Sequence, residues 1–417
     1  MAPNLQENPL GAGGNKAAPD AFSSSAVLPF RMNPRRPELR APLAALLALL
    51  ALVRPRPARA EDSAMYLFQD YQESSGRIGV KSSTAQIDQD IGTDLHLSLG
   101  GVTDTIVGAT PTGQPAPAGR DQVILSELHD YRKAWNGQFS DQIAHTNVGV
   151  GFSRSLEHDY VSNGYSLNTV TDFNQKNTTL LLGVAATDNN VQVTFEPAWF
   201  RKHTADGIVG VTQLLDPHTS VTFDFTFDRS TGYLSEPYKL VQDDIQVLPG
   251  LFVPHTYGEN RPWIRDKGIA LLSVTHDFAS LHGALEASYR FYADTYGIVG
   301  HTLDLAWYQH IGDKVIVRPG LRGYQQSAAD FYYYNLDATS IVPVAIPNPT
   351  SPHYSSDARL SALESFDASL KVIWTVTAWL QVEGGVESYR NRGTDGVTPQ
   401  SAYYRAAISS VGAKFSW

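Results

Sequence analysis

From about Ser63 onward the chain alternates apolar and polar residues with a period of two, the signature of strands that face two different media. The clearest run sets Val221, Phe223, Phe225 and Phe227 against Thr222, Asp224, Thr226 and Asp228. After His282, Leu285, Ala287, Tyr289, Phe291 and Ala293 share one face, while Glu286, Ser288, Arg290, Tyr292 and Asp294 share the other. Leu303, Leu305 and Trp307 oppose Asp304, Tyr308 and His310, and Val315, Val317 and Leu321 oppose Arg318, Arg322 and Tyr324. Leu360, Ala362, Phe366, Ala368 and Leu370 oppose Arg359, Ser361, Asp367 and Lys371. Val376, Ala378, Leu380, Val382 and Val386 oppose Gln381, Glu383 and Glu387.

A soluble sandwich also alternates, but these runs exceed the usual 5–6 residues of globular strands. They match or exceed the roughly 9–11 residues that cross a membrane at a tilt. Their polar faces also carry bulky charge. The fold expected is therefore an all-β, transmembrane, antiparallel up-and-down barrel. Tight links are expected at Asp88–Gly92, Ser140–Gln142, Asn174–Lys176, Asp216-Pro217, Ala279–Leu281, Gly312-Asp313 and Trp374-Thr375. Longer links are expected at 106–130, 156–158, 188–206, 230–265, 295–298, 327–356 and 391–401. Short turns face the periplasm and long loops the exterior in such barrels. With Trp417 placed in the periplasm, this parity demands a first strand over Ser63–Tyr71, for fourteen to sixteen strands in all, sixteen being preferred.

Composition narrows the classes. Among 417 residues there is no Cys, which removes disulfides, thiolate metal sites and cysteine nucleophiles together. The formal charge of −10 argues against a nucleic-acid partner, which calls for a basic face. The one long apolar run, Ala41–Val53, is too short for a membrane helix, which needs about 20 residues. It follows Met32, Arg35, Arg36 and Arg40 and precedes Ala58-Arg59-Ala60, so residues 32–60 read as a signal peptide cleaved after Ala60. Residues 1–31 read as a non-native or disordered extension, and 61–417 as the barrel. The last strand, Ala402–Trp417, puts Val411, Ala413, Phe415 and Trp417 on one face. Phe415 and Trp417 are thus a candidate C-terminal signal for the barrel-assembly machinery.

Several stretches carry a family resemblance: Ser155–Ser162 (SLEHDYVS), Lys176–Leu180 (KNTTL), Tyr233–Lys239 (YLSEPYK), Glu259–Pro262 (ENRP), Tyr289–Tyr292 (YRFY) and Gln326–Tyr332 (QSAADFY). In these the chain resembles the bacterial outer-membrane family of domain of unknown function 3570. The resemblance implies an outer-membrane barrel without an assigned activity, and it hints at a periplasmic redox-related partner.

Candidate chemistry is sparse. Glu157-His158-Asp159-Tyr160-Val161-Ser162-Asn163-Gly164 resembles the His-x-Ser-Asn-Gly of outer-membrane phospholipases. Here, however, His158 and Ser162 are four residues apart, about 13 Å along a strand. The 12 histidines are scattered, and no metal site, cofactor site or catalytic set is expected. The inferred lumen is the better candidate: Asp224, Asp228, Glu286, Arg290, Asp304, Arg318, Arg322, Arg359, Asp367, Lys371, Glu383 and Glu387 point inward. They form either a selectivity-setting constriction or a set of internal ion pairs. Tyr233, Glu236, Tyr238, Arg261 and Trp263, with Asp330 and Tyr332, mark two long outer loops that plug the barrel, bind a ligand or touch lipopolysaccharide. The function expected is a non-enzymatic barrel that passes or binds a small solute. The alternative is a structural barrel, closed by its loops and working with a periplasmic or surface partner.

Overall fold

The computed structural model describes residues 62–193, 196–337 and 339–417, with the side chains of Glu196 and Pro197 excluded. The readings of 1–31 and 32–60 therefore lie outside the described residues.

The first half of the wall is β1 (Ser63–Glu73), β2 (Gly79–Ile91), β3 (Leu95–Pro111), β4 (Leu125–Ile143), β5 (Thr146–Leu156), β6 (Tyr160–Phe173), β7 (Thr178–Val193), β8 (Glu196–Asp216) and β9 (Thr219–Gly232). A separate hairpin follows, β10 (Leu240–Leu248) and β11 (Leu251–Gly258). The wall resumes with β12 (Ile264–Phe278), β13 (Gly283–Asp294), β14 (Val299–Ile311), β15 (Val315–Gln326), β16 (Leu363–Thr377), β17 (Leu380–Gly393) and β18 (Arg405–Ser416). Each wall strand pairs antiparallel with its neighbours, and β1 pairs with both β2 and β18. This closes a 16-stranded barrel and leaves no edge for stray pairing.

Closure fixes what each parity means. Phe223, Phe225 and Phe227 are 44–50% exposed on the outer face of β9, and Leu303, Leu370, Val386 and Val411 are 44–60% exposed on their own strands. So much exposed apolar side chain is stable only against lipid. An arginine in place of Phe225, near the middle of β9, is expected to cost about 2–4 kcal/mol of stability in a bilayer. Denaturant titration of the protein folded into vesicles should show it, and arginine at the lumen-facing Thr226 should shift the midpoint far less. Equal shifts at both positions would contradict the parity.

Seven tight connections stand at one end, among them Ala144-His145, Pro217-His218 and Gly312–Lys314. Gly312 takes φ +61, which the turn requires and glycine adopts without strain. The sixteen-strand expectation holds, including the strand before Arg77. Three turns lie further along the chain than expected. Ser140–Gln142 falls within β4, Asp88–Ile91 within β2, and Trp374-Thr375 within β16. Polar residues at a strand end are compatible with a strand as well as a turn, so these boundaries moved. The expected link 188–206 is almost all strand, because β7 and β8 run on as a polar extension at the loop end.

Candidate functional site

The long links meet one another across the loop end. Three of them, 112–124, 233–263 and 327–362, root far apart on the wall. Strands β5–β8 separate the first root from the second, β13 and β14 the second from the third, and β17, β18, β1 and β2 the third from the first. Contacts among these links therefore span the mouth. The Leu240 amide donates to the Thr112 carbonyl at 2.8 Å, and Lys239 Nζ donates to the Pro111 carbonyl at 2.5 Å. Asn260 and Tyr354 exchange backbone hydrogen bonds of 3.0 and 2.9 Å. Tyr334 Oη accepts from the Ala116 amide at 3.1 Å, and Tyr332 Oη lies 2.5 Å from Thr398 Oγ1 in the last loop. Gly113 sits at the crossing with φ +97, where a Cβ would lie 2.6 Å from the Leu240 carbonyl. No other residue fits there without moving the hairpin.

The lid has its own core. Tyr233, Val241, Leu336 and Tyr354 are buried, and Tyr233 packs on Phe200 and Trp263. Beside it lies a buried charge cluster. Arg261 Nε is 2.7 Å from Glu259 and its Nη2 is 2.8 Å from Asp357, and all three side chains are at most 8% exposed. Burial works against the Arg261 charge, but Glu259 and Asp357 outweigh it and hold the guanidinium above its ordinary range. Burial raises Asp357, yet Arg359, Lys239 and Arg261 overcome this and hold its carboxyl well below the usual range. Ser355 Oγ donates to Glu259, and the Glu236 amide donates to the same carboxylate at 2.5 Å. Loops 233–263 and 327–362 are thus joined by a desolvated ion-pair latch.

Beneath the lid is a cavity of about 250 Å³, roughly twenty times what one water needs. Its walls carry Lys202 from β8, Arg265 and Lys267 from β12, Arg290 from β13 and Arg322 from β15, with Arg261 and Arg359 from the lid. Only Glu236 and Asp357 are acids in that lining. Three of these bases are more exposed than the acids they pair with. Arg265 is 22% exposed and its partner Asp294 fully covered, at 2.6 Å. Arg359 is 31% exposed and Asp357 2%, also at 2.6 Å. Lys267 is 25% exposed and Asp228 13%, at 3.1 Å. At these three positions the chamber presents the cation more than its counter-charge, while at Arg322 the order reverses, 18% exposed against 41% for Asp304.

Below the chamber the signs mix. Arg322 is 3.5 Å from Asp304, Arg318 3.9 Å from Glu286, and Lys371 3.6 Å from Glu383. Arg322 directly opposes Asp367 between β15 and β16, and Glu387 shares a smaller cavity with these groups. Asp224 opposes Gly210 across β8 and β9. All of the lumen candidates on strands lie on the inward parity. Arg359 is the exception and corrects the expected strand start. It belongs to a single 3-10 turn, Ala358–Leu360, because Asp357 accepts from its amide and pulls the segment inward. It reaches the lumen from the lid and meets Glu236 at 3.4 Å.

Of the loop candidates, Tyr238 donates to Asp159, Asp330 donates its amide to the Tyr296 carbonyl at 2.8 Å, and Trp263 packs on Tyr233. Phe415 stacks on Trp379, and the Trp417 amide reaches the Asp62 carbonyl at 3.1 Å, extending the β1–β18 seam. The sequence reading missed Lys202, Asp206, Arg265 and Lys267. Lys202 and Asp206 fell in a presumed link, and Asp206 directly opposes Asp228 on the inner face. It singled out Glu157 and Asp159 but not their meeting with Asp130, where the three carboxylates' oxygens approach within 4.8 Å and could hold a cation. Burial, then the Asp130 charge, pushes Glu157 up to about 7. Among the described residues no hydrogen bond joins His158 to Ser162.

Solved structures with a similar fold include the siderophore receptor PirA from Pseudomonas aeruginosa, at 10% identity and a TM-score of 0.41 over 86% of this chain. This chain spans 62% of that receptor's length. A bacterial polysaccharide outer membrane secretin matches at 7% identity and a TM-score of 0.45, covering 85% of this chain and 98% of that one. A loop-deletion mutant of the Vibrio cholerae outer membrane protein OmpT matches at 8% identity and a TM-score of 0.38, covering 86% and 98%. No curated protein matches the sequence significantly. The model for a protein family of unknown function, DUF3570, matches residues 41–198 and 198–409, so the chain belongs to that family.

Proposed function

We propose that this protein is an outer-membrane barrel that binds a small anionic solute beneath a lid of its own extracellular loops and passes it inward when the lid lifts. The observation that carries the reading is the chamber lining, where seven cationic side chains face two acids. Positive heads converging in a recess screened less than an open surface favour an anion more than they would in bulk water. The roles are binding and passage, not bond-making. Export through a signal peptide ending at Ala60, with Phe415 and Trp417 read by the assembly machinery, fits this placement.

Liposome swelling tests it. A barrel with residues 234–262 and 328–357 replaced by short linkers, which removes the latch of Glu259, Arg261 and Asp357, should admit a sugar phosphate at least several-fold faster than the neutral sugar of the same size. The intact protein should be slow with both. No swelling with either solute from the trimmed barrel would remove the passage reading.

A second reading rests on the β10–β11 hairpin. Its tip exposes Val247, Leu248, Leu251, Phe252 and Val253, each at 43% or more. An apolar tip, with the hairpin's charges Asp243 and Asp244 set back from it, is suited to docking a partner. Crosslinking from the tip in intact cells distinguishes the two: a stoichiometric adduct favours an interaction barrel, and its absence leaves the solute reading.

A further inference from the structure

A second set of arginines lies outside the barrel, on the lipid-facing wall near the loop end. On β17 the outward parity runs through Val386 to Arg390 and Arg392, and on β18 it begins at Arg405. Arg390 directly opposes Arg405 across the two strands, and both are exposed. Like charges directly opposite on a sheet repel. Among the described residues no carboxylate forms an ion pair with either one. Arg392 has Glu364 at 3.4 Å, but both side chains are about half exposed or more.

Beside these arginines the wall is hollow. Gly323 points outward on β15 without a side chain, and a Cβ there would meet nothing within 4 Å. The resulting groove of about 600 Å³ runs from Tyr289 and His301, which are hydrogen-bonded at 2.7 Å, across to Phe366, Arg390 and Arg392. Toward the turn end it opens onto exposed Leu303, Leu321 and Leu370. The interface end of the groove therefore carries Arg390 and Arg392, with Glu364 on Arg392 as the one acid of the lining, and the membrane end carries apolar side chains.

That gradient matches an amphiphile with an anionic head, not a free ion, which would gain nothing from the apolar floor. Guanidinium groups suit phosphate because they offer paired donors in a planar fork. We propose that this groove binds the phosphorylated headgroup of an outer-leaflet glycolipid, with Arg390 and Arg392 of its lining as phosphate ligands and Arg405, which opposes Arg390 just beside it, as a third. A phosphate between Arg390 and Arg405 turns a repulsive cross-strand pair into a bridged one. The site rests on the outer-membrane placement but is independent of any solute in the lumen.

Native mass spectrometry of the full-length protein in detergent, titrated with bisphosphorylated lipid A, tests the site. One lipid A should remain bound. The double variant Arg390→Gln with Arg405→Gln should bind it at least tenfold more weakly while keeping the heat-modifiable gel mobility of a folded barrel. Fully dephosphorylated lipid A should bind the unaltered protein at least tenfold more weakly, a comparison that needs no variant to fold. Equal retention by the double variant, or equal binding of the dephosphorylated lipid, would overturn the phosphate site. Equally tight binding of phosphatidylglycerol would overturn its assignment to the glycolipid.

Discussion

Replacing Arg261 with alanine should unlatch the lid and leave the barrel wall standing. The change strands Glu259 in a fully covered position with its main counter-charge gone. Breaking one side of a buried ion pair typically costs about 3–5 kcal/mol. The loss falls locally, because Arg261 touches the two long loops and none of the strand ladders. Limited proteolysis should cut 233–263 and 327–362 at least tenfold faster in the variant, with the heat-modifiable mobility of the barrel retained. Replacing Arg261, Glu259 and Asp357 together by apolar residues of similar volume should restore much of the protection. Unchanged proteolysis in Arg261→Ala would mean that the latch does not hold the lid.

The other large effect concerns the chamber. With the loops trimmed, exchanging Arg290 and Arg322 for glutamate should turn an anion-preferring conductance into a cation-preferring one. Two reversals shift the local charge by four units in a recess screened less than an open surface. A preference change of at least tenfold in the permeability ratio is expected, read from the reversal potential under a salt gradient. A ratio that does not move would place the rate-limiting constriction elsewhere, in the mixed-sign layer of Arg318, Glu286, Lys371 and Glu383.

The wall was legible in the sequence because lipid imposes one simple demand, repeated at every second residue. Phe223, Phe225 and Phe227 satisfy it openly, and link parity then required β1. Legibility failed where the lipid stops. At Asp188–Asn190 and Lys202–Asp206 the strands rise into water on both faces, so no alternation marks them. Arg359 kept the alternation by accident, while Asp357 capped a short turn and drew it into the lid. The chamber was the least legible part. Lys202, Lys267, Arg290 and Arg322 come from four separate strands, and they meet Arg261 and Arg359 only after closure and loop folding. Their acids could not be sorted in front or behind without knowing burial.

Single-channel recording in planar bilayers tests the central claim most directly, by comparing the intact protein with the Arg261→Ala variant and the loop-trimmed barrel under a salt gradient. A closed or nearly closed intact protein, frequent openings in Arg261→Ala, and a steady anion-preferring conductance in the trimmed barrel are the predicted results. An intact protein as conductive as the trimmed barrel would contradict the lid, and a trimmed barrel that prefers cations would contradict the anion chamber.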